Sequence, residues 1–577
     1  MISRRRIARG RAVTALAAAV LVGVLLSVAA PARAAPKADL AQSDAGLDSD
    51  TLIMTAEIAL RRDDCGRASA DYAAAARRLP DAKVAQRAAT VALDCGQYET
   101  AEQAASRWRQ LLPRDPAPLR ASMRAALGLY QIDAARSAFQ GWLRSNQGGI
   151  AEQLQQVADE SGVPATFAMV QGVRAQPLQS ASGQLALADL ALDGWNYHAA
   201  LQYAQRALDG GAARGPAQFL LARAHAGLGE ADQAVAAASA ARQAAPKEQS
   251  FADADVLLLL GRDREAHDAI EATLRGNPVL RSQGQRRLGL LAFDAGNYDD
   301  AQRQFQALLG DRDSAAVAVY YLSLIAERRG DAAVALRGYE LLAGTGLEAS
   351  ARMRAATLLF KNAHTNEALQ LLGPAPHATP AARVQAEIAQ AQLLADNGQA
   401  DQALTRLDAA LERSPGHPDL LYQRAIVLEK SGRTDAAIGQ LEQLYGQRPE
   451  DGEIANALGF ILADHGRDLA RAQRLIGSAL KGEPDNPAIL DSMAWLEFRR
   501  GMPQAALPLL ERAFRLDQDG DIGAHWGEVL WSLGQKSRAR EAWSRALLAD
   551  PDNAAVKEAE KRAGAPQLLN PGAGTAI

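Results

Sequence analysis

Four stretches decide how this chain is organised: Asp294-Ala-Gly-Asn-Tyr-Asp-Asp-Ala301, Asp396-Asn-Gly-Gln-Ala-Asp-Gln-Ala403, Lys430-Ser-Gly-Arg-Thr-Asp-Ala-Ala437 and Ser532-Leu-Gly-Gln-Lys-Ser-Arg-Ala539. Each reads as a turn at Gly followed five residues later by Ala inside an apolar-periodic run. Aligning the chain on that turn places equivalents at 66, 96, 130, 162, 195, 229, 261, 296, 330, 363, 398, 432, 466, 501 and 534. The spacing is about 34 residues, a period that marks a repeat architecture and precedes any division into domains. The units at 66, 130 and 162 match the pattern less well than the others.

Further columns keep the same register. Seven residues before the turn, Ala, Gly or Ser recurs, as at Ala188, Ala222, Gly289, Ala425, Gly459 and Gly527. Five residues after it the residue is mostly Ala, and seventeen after it Pro recurs at 113, 246, 278, 415, 449 and 551. Small residues on both arms of a helical hairpin let the backbones approach, and Gly at the turn supplies the left-handed residue that ends the first helix. Pro opens the next unit because its missing N–H is no loss at a helix start. Asn486-Pro487 accordingly reads as a cap and a first helical residue.

These columns resemble the tetratricopeptide repeat over residues 50–555. The resemblance implies an all-α fold, an α-α superhelix of about 13–15 helix-turn-helix units with one core running along the stack. The expected organisation is an N-terminal array over 48–372, irregular near 147–182, and a C-terminal array over 381–562. The Pro-rich Gly373–Pro380 stretch either bends the array or simply loops between repeats. Residues 563–577 read as a disordered tail.

Composition agrees. The 577 residues hold 47 Gly, 24 Pro, 2 Cys and 5% aromatics, excluding a disulfide-dense or collagenous chain. At the N-terminus, Arg4, Arg5, Arg6, Arg9 and Arg11 precede an apolar run to Ala30 and an Ala32-Arg33-Ala34 cleavage pattern. This predicts a secretory signal peptide over 1–34, of the general or the twin-arginine type. The formal net charge of −4 becomes −10 once six arginines leave with it, which disfavours nucleic acid as a partner. Periplasmic localisation is expected, without a lipid-anchor cysteine; membrane contact would come only from an uncleaved signal or a partner.

Two cysteines in an exported chain invite a disulfide. Cys65 and Cys95 each precede a turn Gly in this alignment, and equivalent points of stacked repeats lie roughly 8–10 Å apart, against the ~7 Å that a disulfide spans. Both the bonded and the free states stay open. No metal-ligand, nucleophile-elbow or P-loop spacing occurs, so no catalytic centre, metal or cofactor is expected.

In tetratricopeptide folds the first helix of each unit lines the concave groove. On the last three units the resemblance therefore assigns Asn456, Phe460, Asp491, Trp495, Phe498, Glu528 and Trp531, with His525 alongside, to a peptide-binding groove. Trp526 and Trp543 fall on packing columns instead. Residues 455–545 further resemble envelope adaptors of the LbcA type. Those lipoproteins bind a periplasmic carboxy-terminal processing protease and bring cell-wall hydrolases to it. The implied function is a non-catalytic protein-interaction scaffold of that kind; the alternative is an assembly factor for polysaccharide export or outer-membrane biogenesis.

Overall fold

Fourteen of the helical hairpins close with the same backbone bond. The residue after the turn donates its N–H to the carbonyl five positions earlier, as in Gln97 to Ala92, Asn297 to Ala292 and Gln535 to Leu530. The residue before that donor is left-handed, and in ten of the fourteen it is Gly. This is the arrangement that satisfies the last carbonyls of a helix and stops it. Tyr130, Trp195 and Ala363 adopt the same conformation, with φ of 56°, 53° and 65°, so the unit at 130 is regular. The computed structural model describes residues 47–565 except 146–148, 249, 376–377 and 551–552. The expected signal peptide lies outside the described residues, as do 566–577 of the expected tail.

The all-α repeat fold is borne out: the described residues are helices and connections, without a strand. The first turn is a correction. Its left-handed residue is Asp63, φ 62°, three residues before Gly66, and Asp64 donates to the carbonyl of Ala59. Counted from Asp63, the small-residue columns fall on Ala56 and Ala68, both fully buried. Gly66 lies inside the following helix, Cys65–Arg78. The unit at 162 departs from the pattern. Gly162 separates helices Ile150–Ser161 and Val163–Val170 with an extended ψ of 148°, and the second helix has only 8 residues.

Within a hairpin the small column receives a large side chain from the second helix. A Cβ on Gly289 would lie 2.9 Å from the Phe305 ring, and one on Gly527 would lie 2.1 Å from Trp543 Nε1. Phe305 and Trp543 are fully buried. Glycine here is the absence of a methyl group where a ring must sit. Trp543 is thereby a packing residue, as its column predicts.

Two compact units form, and each draws helices from both sequence halves. One holds the three hairpins from Ser49–Arg61 to Ile132–Ser145 and the two from Pro380–Asp396 to Thr434–Gln447. In it the Asp63 carboxylate pairs with Arg383 at 2.8 Å and Arg413 at 3.4 Å, and Gln97 donates to the Pro415 carbonyl at 2.9 Å. Cys65 and Cys95 are bonded, their Cα atoms 5.5 Å apart. The shifted first turn explains why. Cys65 follows its left-handed residue by two, whereas Cys95 precedes Gly96 by one, so they are not equivalent points of successive turns.

The other unit combines the helices from Ile150–Ser161 to Thr365–Leu372 with those from Gly452–Asp464 to Ala554–Arg562. Its two sequence segments are also joined, at the turn ends of the early hairpins. Tyr197 N–H donates to Asp485 at 2.7 Å, and Asp485 N–H donates to the Trp195 carbonyl at 3.0 Å. Arg515 donates to the carbonyls of Ala226 and Gly227, at 3.0 and 3.3 Å. Arg328 reaches the Ala549 carbonyl at 2.7 Å. Each contact joins the turn end of an early hairpin to the last turn of a late second helix or the connection that follows it.

Candidate functional site

The last three hairpins present their first helices side by side: Gly452–Asp464, Pro487–Arg499 and Gly520–Ser532, followed by the lone helix Ala554–Arg562. Each starts with a side-chain cap. Asp451, Asn486, Asp519 and Asn553 accept from N–H groups of the first turn, satisfying donors that would otherwise be orphaned. The Asn486-Pro487 cap is as its sequence predicts.

Five of the eight expected groove residues converge. His525 stacks on Trp495 with ring centroids 4.1 Å apart, and Phe460 closes on the imidazole at 6.0 Å. Phe498 packs against Trp495 at 5.2 Å. His525 Nδ1 lies 2.9 and 3.0 Å from the two carboxylate oxygens of Asp491, one repeat earlier. Burial pulls the His525 pKa down, but Asp491, helped by Asp521 and Glu528, outweighs it and holds the imidazole above its ordinary value.

Accessibility does not follow placement. Phe460, Asp491, Trp495 and His525 are only 8%, 7%, 4% and 4% exposed. Stacking and the His525–Asp491 pair satisfy these groups against one another, so the expectation of Trp495 as an open groove residue is corrected. It is an internal strut of the first-helix stack. Half-buried positions remain at Asn456, Phe498, Glu528 and Trp531. Trp531 stands apart from the cluster, against Trp543 at 5.7 Å and beneath the cations of Lys536 and Arg540. Glu528 pairs with Arg562 at 2.7 Å. Asn456 Oδ1 is buried and accepts no hydrogen bond from the protein.

Asp464 is a site residue that the sequence does not mark. It accepts the Trp495 indole N–H at 2.9 Å and contacts Arg499 at 3.2 Å. Its place three residues after the first-helix residue Ile461, two before the turn Gly, carries no chemical signature of its own; only the indole across the stack reveals it. Asp519 is a second. Half-buried beside Asp521 and Asp517, its carboxyl is pushed up to about 7 by desolvation and by those two carboxylates.

Known proteins match this architecture in parts. Tetratricopeptide-repeat family models match residues 286–346 and 394–461. The chain carries tetratricopeptide repeats. It is similar to the TPR repeat-containing protein PA4667 of Pseudomonas aeruginosa, 32% identical over 209 residues, which are 36% of this chain and 35% of that protein. The match thus spans about a third of the relative's length. Among solved structures, yeast Tom70 aligns at 14% identity and a TM-score of 0.32, covering 79% of this chain and 96% of that one. TTC0263, a thermophilic TPR protein of Thermus thermophilus, aligns at 21% identity and a TM-score of 0.29, covering 31% and 97%. Tetratricopeptide repeats mediate binding to other proteins, and the chain is a protein-interaction scaffold in that general sense.

Proposed function

We propose that the chain is a non-catalytic adaptor of the cell envelope that holds a polypeptide partner along its C-terminal first-helix face. The observation that carries this reading is Asn456. Its side-chain carbonyl is an unmatched acceptor on the first helix of its hairpin, and a partner's backbone N–H is the group that would match it. Half-exposed Phe498 and Trp531 supply rigid contact area of the kind that anchors interfaces. The Cys65–Cys95 bond supports an oxidising compartment. The resemblance over 455–545 supports a carboxy-terminal processing protease, or the cell-wall hydrolases it cleaves, as the partner. The scaffold would act by holding enzyme and substrate at high effective concentration.

The test is capture of partners by the full chain and by the Asn456→Ala/Trp531→Ala double variant from an envelope extract, followed by cleavage assays with the protease recovered. Recovery of the protease with wild type, its loss with the variant and faster hydrolase cleavage in the presence of wild type are expected. A protease that neither binds nor changes its cleavage rate would sink the adaptor reading.

A further inference from the structure

The internal junctions draw on one column of the repeat. Arg515, fourteen residues after the turn at Gly501 and in the last turn of helix Pro503–Leu516, donates to the carbonyls of Ala226 and Gly227 at 3.0 and 3.3 Å. Leu548, fourteen after Gly534, lies against the turn at Gly296, where a Cβ would stand 3.5 Å from its Cδ2. Arg413, fifteen after Gly398, pairs with Asp63 at 3.4 Å. A second helix ends at this point, so a long side chain there reaches past its own hairpin. For Arg515 the group reached is the C-terminal end of a first helix, whose last carbonyls carry partial negative charge.

On the first three hairpins the same column holds Arg77, Arg109 and Arg144, at fourteen, thirteen and fourteen residues after Asp63, Gly96 and Tyr130. Each stands in the last turn of its second helix. All three are exposed, and none has a carboxylate partner among the described residues. Leu112, 44% exposed, and the exposed Arg114 continue this edge next to Arg109. The acids of the same connections, Asp81 and Asp115, accept the N–H groups of Lys83 and Ala117 as helix caps. Water alone can solvate an exposed arginine. What singles these three out is that Arg515 and Arg413, at the same place in later hairpins, are docked.

The complementary surface is a turn with nothing over it. A Cβ on Gly96 would meet His417, one on Gly229 would meet Arg515 and one on Gly296 Leu548, whereas at Gly398 and Gly432 it would find nothing within 4 Å. Both of these open turns belong to the same compact unit as the first three hairpins, and both glycines are exposed. Around them stand the exposed carboxylates of Asp396, Asp401 and Asp435, against the cations of Lys430 and Arg433, which pair with Asp396 and Asp401. The turns at Gly501 and Gly534 are open too, but they carry Arg499, Arg500, Lys536 and Arg538, which repel further arginines.

We propose that copies of this chain associate head to tail. The arginine edge of the first three hairpins in one copy docks on the open turns at Gly398 and Gly432 of a second, repeating between copies the junction that Arg515 makes within one. Each copy offers both surfaces and uses one per contact, so association does not close at a dimer and grows with concentration. The contact is built from other residues than the C-terminal first-helix face and is independent of the adaptor reading.

Sedimentation velocity of the full chain over about a hundredfold range of concentration tests it. The mean mass should rise above that of the monomer, return to it on dilution and fall with added salt. Two charge reversals at exposed sites should each weaken association at least about tenfold, Arg77→Glu/Arg109→Glu/Arg144→Glu on one surface and Asp401→Lys/Asp435→Lys on the other. Mixed together, these two variants still hold one intact surface each, and they should form a one-to-one pair and nothing larger. A monomer at every concentration, wild-type association in either variant, or a mixture that stays monomeric overturns the proposal. So does a dimer that survives dilution, which would mean exchanged segments. Capture of a monomeric chain by phosphatidylglycerol vesicles through the same arginines would give that edge to a membrane instead, and the proposal would fall.

Discussion

Asp485 accepts the backbone N–H of Tyr197, 288 residues earlier in the chain, at 2.7 Å. The same carboxylate bonds Arg512 and is 1% exposed. Burial raises its pKa, against the pull of Tyr197 N–H and Arg512. Asp485→Ala would leave a buried N–H and a guanidinium unmatched, at a cost of about 2–4 kcal/mol. Hydrogen exchange should quicken at Tyr197 and in the connection 483–486, while the hairpins between 281 and 340 keep their protection. Unchanged exchange at Tyr197 would show that the junction adds nothing.

The bond between Cys65 and Cys95 closes a 30-residue separation, for which chain entropy predicts about 3–4 kcal/mol of stabilisation. Reductant should lower the unfolding midpoint of the helices from Ser49 to Leu111. The Cys65→Ser/Cys95→Ser variant should start at the lower value and ignore reductant. A wild-type midpoint indifferent to reductant contradicts the pairing.

Tight hairpin contacts should be the least forgiving positions. Gly527→Ala places a methyl group against Trp543, which overpacking puts at about 1–3 kcal/mol. Ala437→Glu and Ala506→Glu put a carboxylate at fully buried sites and should unfold their own units at larger cost. Chemical denaturation compared with the exposed Ala505→Glu measures the difference; equal midpoints would refute the contact.

Two titrations should make the C-terminal hairpins more stable in mild acid. Asp519 is raised to about 7 by burial and by Asp521 and Asp517. Its contribution is therefore present below the unfolded value near 4 and is lost as pH climbs to 7. His525 is also held above its ordinary value, so the stability of its pair with Asp491 is lost as pH rises from about 6.5 through the higher folded value. Asp519→Asn keeps a good helix cap and should flatten the lower window, with a gain on the order of 1–3 kcal/mol at pH 8. Thermal melts from pH 4 to 9 check both windows; a wild-type midpoint that rises with pH reverses the sign and refutes them.

The repeat was legible because its columns are local chemistry. A turn glycine, a small residue seven before it and an alanine five after it each act within one hairpin. The first unit misled because Gly66 imitates the turn that Asp63 makes, and aspartate tolerates the left-handed region well enough to stand in for Gly. That three-residue shift also hid the geometry joining Cys65 to Cys95. At the C-terminal face, the family resemblance placed Phe460, Trp495 and His525 on one side of the stack, yet could not say that they close on each other. Nothing local marks Asp485 or Arg515 for partners some 290 residues away.

The junction at Asp485 also sets a clock. A chain made at roughly 5–20 residues per second exposes the Tyr197 turn for about 14–58 s before Asp485 is even synthesised. During that interval the early hairpins must stand with their turns uncovered, open to chaperones, to proteases or to another copy's late connections. Exchange of those connections between two nascent copies would give an intertwined dimer with the same bonds, so crowded synthesis favours the dimer and slow, sparse synthesis the monomer.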